Sequence, residues 1–404
     1  MKATHEPPLR FSRAKPWSLF RLKELGEFKS GVGFSENQQG GKEGTPFFKV
    51  SDMNLAGNEH VMLTANHYVT ADQIKKNGYR PIGTSAILFA KVGAAIFHER
   101  KRIAQDFLMD NNMMAFLPSD LPIDFAKHLF DRVRLSKYAQ VGALPSYNAS
   151  DIGALKVHIP TLPEQRKIAD FLTAVDGRIG QLSQKKALLE DYKKGVMQQL
   201  FTQALRFKDD QGNDFPAWEK KKLGAVCSIL KGKGLSKADL VEDGATPCIR
   251  YGELYTIYSE LIQEPKSRTN VAEKELVLSE ENDVIIPASG ETHIDIATAS
   301  CVMSKGIALG GDLNIIRTKL NGVFLAYYLN NACKHAIARV AQGSSVIHLY
   351  PDQLKGLSLR FPSTAEQTKI ANFLTALDRK IESVSSQIAH TQTFKKGLLQ
   401  QMFV

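Results

Sequence analysis

Three pairs of short polar stretches hold the side chains best suited to bind a ligand. SGVGFSENQQGGK (30–42) is answered by KGKGLSK (231–237), KVGAAIFHERKR (91–102) by PASGETHID (287–295), and QVGALPSYN (140–148) by QGSSVIHLY (342–350). Amines, hydroxyls and glycine-exposed backbone amides contact phosphate oxygens, whereas Ser, Thr, Asn, His and Arg can also read base edges. The candidate contacts are Lys29, Lys42, Lys91, Arg100, Lys101 and Arg102 in the first half of the chain. In the second half they are Lys231, Lys233, Lys237, Arg250, Thr292, His293, Ser344 and His348. One polar loop is ordinarily just solvated. Three pairs at matched places in two diverged halves point to a nucleic-acid surface.

Catalytic chemistry finds no matching pattern. GGKEG (40–44) and KGKGLSK miss the glycine, lysine and hydroxyl spacing of a phosphate-binding loop. PSYN (145–148) lacks the second proline of an amino-methyltransferase site, and His293 with Asp295 is too little for hydrolysis. Cys227, Cys248, Cys301 and Cys333 show neither a CxxC pair nor zinc-ligand spacing. A non-catalytic chain without a metal of its own is expected, in a reducing, cytoplasmic setting. MKATHEPPLRFSRAKPW has no apolar signal region, and no apolar run approaches the roughly 20 residues that span a bilayer.

Charge points the same way, unevenly. The 404 residues carry a net charge of +10, which favours a polyanionic partner. Residues 1–160 hold 21 basic and 15 acidic residues, a surplus of six, whereas 206–362 hold 19 of each. If the second segment touches DNA, it must do so through a local patch rather than an overall field.

These loops are held by a plan written twice. EQRKIADFLTAVD (164–176) returns as EQTKIANFLTALD (366–378), and 159–201 align without a gap on 361–403 with 20 identities in 43 positions. LRF at 9–11 matches LRF at 205–207, and Trp17 matches Trp218. Thr161-Leu-Pro-Glu164 and Ser363-Thr-Ala-Glu366 have the form of capping boxes that begin long helices. A heptad seam follows, of Ile168, Leu172, Val175, Ile179 and Leu182 in one copy and Ile370, Leu374, Leu377, Ile381 and Val384 in the other. So narrow an apolar stripe needs a partner, and the other copy, running antiparallel, is the expected one. Gly195 and Gly397 fit either fraying near a helix end or close approach at a crossing.

The expected fold is α+β, with two mixed α/β domains joined by two long antiparallel helices in an intramolecular, pseudo-two-fold coiled coil. Its segments are 1–160, a first domain; 161–204, a central helix; 205–362, a second domain; and 363–404, a C-terminal helix. Apolar runs predict strands at 47–53, 85–92, 112–117, 247–251, 283–287 and 313–318, with helical stretches near 124–140 and 322–341.

The doubled P-x-x-x-EQ-x-KIA helix resembles the specificity subunit of type I restriction-modification systems. It matches at Pro160, Glu164, Gln165, Lys167, Ile168, Ala169 and Asp176, and at Pro362, Glu366, Gln367, Lys369, Ile370, Ala371 and Asp378. The resemblance implies that each domain reads one half of a bipartite double-stranded DNA target, with the helices as spacer. It also implies two copies of an adenine methyltransferase subunit using S-adenosylmethionine, and a restriction motor-nuclease subunit using ATP and magnesium; these cofactors belong to the partners. A coiled-coil scaffold that never touches DNA is the other class of reading.

Overall fold

The computed structural model describes residues 6–12, 15–140 and 144–403. Its chain forms two compact units, Met1–Ser183 with Ser385–Val404, and Gln184–Val384. Each unit therefore holds one variable block, the first half of the helix that follows it, and the last half of the other long helix. The long helices are Leu162–Phe201 (the central helix) and Thr364–Met402 (the C-terminal helix).

In the first unit the main sheet runs Gly26–Ser30, Met113–Pro118, Ala86–Ala90, Lys101–Ala104, every neighbour antiparallel. A smaller sheet joins Tyr68–Val69, Thr45–Phe48 and Leu108–Met109. Ser18–Arg21 pairs with Lys156–Ile159 just before the central helix begins. The second unit repeats this plan. Cys227–Lys231, Leu313–Thr318, Asp283–Pro287 and Ser300–Val302 lie in the same order and add Leu261–Ile262, and Glu219–Lys222 pairs with Ser358–Phe361.

Ala86–Ala90 and Asp283–Pro287 are buried at every position, which is why they read as nearly continuous apolar runs, the charged Asp283 being met by Arg317. The edge strands Gly26–Ser30 and Cys227–Lys231 are mostly exposed and leave no such signal. The predicted strand at 47–53 ends at Phe48, where Val50–Asn54 turns into a 3-10 helix. Asp52 imposes that turn: it is buried, and its carboxylate accepts from the Lys49 amide (2.8 Å) and Asn66 Nδ2 (2.5 Å). The helical stretch at 124–140 divides into Ile123–Arg132 and a 3-10 turn at Leu135–Tyr138. That at 322–341 divides into Gly322–Asn330 and Lys334–Val340.

Each unit pairs the two long helices. In the first, Ile168 and Leu172 share a core with Leu398, Met402 and Phe403. In the second, Ile370, Leu374 and Leu377 share one with Val196, Met197, Leu200 and Phe201. The start of one helix thus lies beside the end of the other, an antiparallel pairing. Leu182 and Val384 are buried as well, while Val175, Ile179 and Ile381 are partly buried. A Cβ added at Gly195 or Gly397 would meet nothing within 4 Å, and both glycines lie inside the helices. Neither fraying nor close packing against the described residues accounts for them.

The glutamates of the repeated motif are engaged by distant residues. Glu164 is buried and takes a two-pronged guanidinium contact from Arg10 (3.2 and 2.9 Å), while Gln165 Nε2 donates to the Pro160 carbonyl at 2.9 Å. Glu366 receives Arg206 the same way (3.0 and 2.7 Å) together with Trp218 Nε1 at 3.2 Å, and Gln367 Nε2 donates to the Pro362 carbonyl. The adjacent phenylalanines stack edge-on, Phe11 on Phe171 at 5.8 Å and Phe207 on Phe373 at 5.6 Å. The LRF repeat is thus a strap: its arginine reaches a buried carboxylate and its phenylalanine packs on the same helix about two turns further along.

A second ionic junction fixes each block to both helices. Lys395 bridges the two carboxylate oxygens of Asp176 (2.7 and 2.8 Å) and reaches Asp131 at 3.4 Å. Lys193 meets Asp378 at 2.6 Å and lies 5.1 Å from the ring of Tyr327, whose hydroxyl also donates to Asp378. Where the second unit has Tyr327, the first has His128, 3.9 Å from both Asp131 and Asp176 and with its Nε2 3.2 Å from the Thr173 hydroxyl. Burial first, and then Lys395 and Lys127, push the His128 imidazole down to about 4.

Two outcomes follow from these junctions. Arg10→Ala leaves Glu164 buried without its cation and should cost about 3–5 kcal/mol. Arg206→Ala should cost less, because the Arg206 side chain is 26% exposed where that of Arg10 is 1% exposed, so water can enter where its guanidinium lay; equal losses in denaturant unfolding would contradict this. Between pH 6.5 and about 4 the unfolded chain binds a proton at His128 that the folded chain refuses. Stability present above pH 6.5 should therefore fall as the pH drops through that window, by on the order of 3 kcal/mol. His128→Gln should flatten the dependence of Tm on pH there; an unaltered slope would refute it.

Candidate nucleic-acid interface

The matched loops are gathered by the same backbone bridges in both units. In the first, Ser146 pairs with both Val92 and Gln140, the Tyr147 amide donates to the Lys91 carbonyl at 3.3 Å, and Lys91 Nζ reaches Ser30 Oγ at 3.2 Å. In the second, His348 pairs with both Ser289 and Gln342, and Lys231 lies 5.6 Å from the ring of Tyr350. Gln140 to Ser146 and Gln342 to His348 are the same distance along the chain, so one hairpin is built twice from unlike residues. Residues 141–143 of QVGALPSYN lie outside the described residues.

Glycine makes the first loop pair possible. A Cβ at Gly31 would sit 1.8 Å from the Asp110 carbonyl oxygen, and one at Gly232 1.9 Å from that of Gly310. The backbone passes so close because the Val32 amide donates to Met109 O and the Lys233 amide to Leu309 O, both at 3.0 Å. Gly31 of SGVGFS and Gly232 of KGKGLS are therefore packing requirements of a loop laid across its neighbour, whereas a Cβ at Gly33 would meet nothing within 4 Å.

The candidate side chains fall into distinct settings. Lys42, Lys233, Lys237, His293, Ser344 and His348 are exposed, the last stacked on Tyr350 with ring centroids 6.0 Å apart. Lys29 is exposed beside Glu27 (3.4 Å), and Thr292 donates to Asp295 at 2.6 Å. Arg250 is partly buried beside Tyr251, Asp312 and the Gly310–Gly311 turn, and Arg100 is half-buried. Lys101 does not suit the expected role. It is 2% exposed, and its ammonium is held by Glu99 at 2.5 Å and the Val133 carbonyl at 3.0 Å. Glu99 in turn accepts from the Leu135 and Ser136 amides, so Lys101 ties two segments of the first block together. Arg102 is partly buried; burial lowers its guanidinium pKa, and it donates to the Lys101 carbonyl at 3.0 Å. Basic type alone cannot separate such a lysine from a surface one. Tyr350, the last residue of QGSSVIHLY but not one of the candidate contacts, joins the site through its stacking on His348.

Among the described residues no group of three or more His, Cys, Asp or Glu side chains could hold a metal ion. No described helix is long and apolar enough to cross a membrane. The four cysteines are free thiols.

The family described as the type I restriction modification DNA specificity domain matches this chain twice, at residues 14–191 and 217–390. Two chains of Methanocaldococcus jannaschii are similar to it. One, provisionally named the type I restriction enzyme MjaX specificity subunit, is 24% identical over 95% of this chain and 92% of its own length. The other, the MjaVIII specificity subunit, is 22% identical over 75% and 74%. Among solved structures, a type I restriction-modification S subunit from M. genitalium superposes with a TM-score of 0.61 at 15% identity, over 99% of both chains. A chain from a study of assembly and conformational transition in a type I system gives 0.57 at 16% identity, over 98% and 97%. The chain belongs to the type I restriction-modification DNA specificity family. It is a specificity subunit with two recognition domains.

Lys101→Ala should therefore destabilise the first block by about 1–3 kcal/mol in thermal unfolding, because Glu99 loses its buried partner. Lys42→Ala should fold normally and lower the salt slope of DNA binding by about one. A normal melting profile for Lys101→Ala would return that lysine to the surface set.

Proposed function

We propose that each block of this chain reads one half of a bipartite double-stranded DNA target while the paired helices set the interval between the halves. The observation that carries this reading is the repeated bridge pattern, which brings three diverged loops together in each block on a common framework. Shared framework with unlike loops is what two readers of different half-sites require, since base edges are read by side chains and phosphates by cations and amides. The chain itself is non-catalytic. Methyl transfer comes from two copies of a DNA adenine methyltransferase subunit that uses S-adenosylmethionine, and cleavage from a restriction subunit that uses ATP and magnesium, all in the cytoplasm. The two like helices, with 20 of 43 aligned positions identical, offer two like docking sites for two like methyltransferase subunits.

Purification with the methyltransferase subunit, followed by mapping of methylated adenines, should return one asymmetric motif in two halves. Inserting four residues at matched positions of both long helices adds about 6 Å to each. The gap between the halves should then grow by one or two base pairs, with both half-sites unchanged. An unchanged gap would remove the helices from the role of spacer.

A further inference from the structure

The second block contains a cleft that the basic loops do not explain. Tyr251, Tyr255 and Tyr258 line it together with Glu291, Asp295 and Val346. It opens among the recognition loops, because the pairing of Ser289–Gly290 with Ile347–His348 forms part of its wall. The cleft is built rather than incidental. The Tyr255 hydroxyl donates to the Ser289 carbonyl at 3.1 Å, and a Cβ at Gly290 would sit 2.9 Å from that hydroxyl, so any larger residue there would crowd it. Asp295 is fixed by the Thr292 hydroxyl at 2.6 Å, which leaves its carboxylate further capacity to accept. Val346, 51% exposed, supplies an apolar wall.

Two carboxylates in a cleft walled by Ser289 and Gly290, whose strand pairs with Ile347–His348, are out of place on a surface meant only for phosphates, which they repel. They become favourable where a hydrogen-bond donor faces them. In the major groove the donors are the N4 amino group of cytosine and the N6 amino group of adenine, and Glu and Asp are suited to accept from the former. Tyrosine rings give such a base edge a flat apolar flank. The charge balance agrees: residues 206–362 hold 19 basic and 19 acidic residues, so this block cannot rely on cations alone.

We propose that this cleft is the base-reading element of the second domain, with Glu291 and Asp295 accepting a hydrogen bond from the amino group of a cytosine or adenine in its half-site. The inference rests on the DNA-reading function above. The test uses the complex assembled with the methyltransferase subunit, carrying Glu291→Gln, and measures affinity for duplexes substituted at each base pair of the motif. Glu291 is exposed, so the variant should assemble and melt as the wild type does; Asp295→Asn provides a second probe. Discrimination should fall about tenfold or more at one position in one half-site, and the base lost there tells cytosine from adenine. Unchanged discrimination, or a uniform change over all sequences, would overturn the proposal. A wild-type complex with no bipartite motif would instead overturn the DNA-reading function.

Discussion

A buried carboxylate at the head of each long helix, met by an arginine more than 150 residues away in the sequence, is the constraint on which the rest of the molecule depends. Glu164 and Glu366 are each about 1% exposed at the side chain, and a charge so placed is tolerated only when paired and hydrogen-bonded. Arg10 and Arg206 meet that need, and in doing so bring the first residues of each block back to the helix that follows its last strand. The block is thereby closed on itself. The strand pairs Ser18–Arg21 with Lys156–Ile159 and Glu219–Lys222 with Ser358–Phe361 complete the closure.

The lysine–aspartate junctions then specify which helix face is used. A heptad seam of Ile, Leu and Val would tolerate a slip by one heptad with little loss of apolar burial. A slip would strand Lys395 from Asp176, or Lys193 from Asp378, inside partly buried surroundings, so the polar pairs select the register. The substitution of His128 in one junction for Tyr327 in the other shows that the junction can vary in chemistry while the lysine and aspartate stay the same.

With closure and register fixed by the framework, the loops are free to differ. The first unit uses Lys91 against Ser30 and an excess of cations, and the second uses Lys231 over Tyr350, His348 and a tyrosine-lined cleft. One scaffold holds two chemically distinct surfaces because its backbone bridges, not its loop side chains, determine where the loops lie.

The sequence by itself determined the duplication, the two long helices, the seam and the buried central strands, since each depends on periodicity or on a nearly continuous apolar run. It also marked the loops, through glycines and cations at matched places. It did not reveal the exposed edge strands, whose residues follow no hydrophobic pattern, nor the 3-10 turn that buried Asp52 imposes after Phe48. Only the tertiary structure decided that the repeated glutamates hold arginines, that Lys101 is an internal tie, and that Tyr350 and the tyrosine cleft belong to the candidate surface. Burial and pairing arise between residues far apart in the chain, and no local pattern encodes which lysine is enclosed and which is left in water.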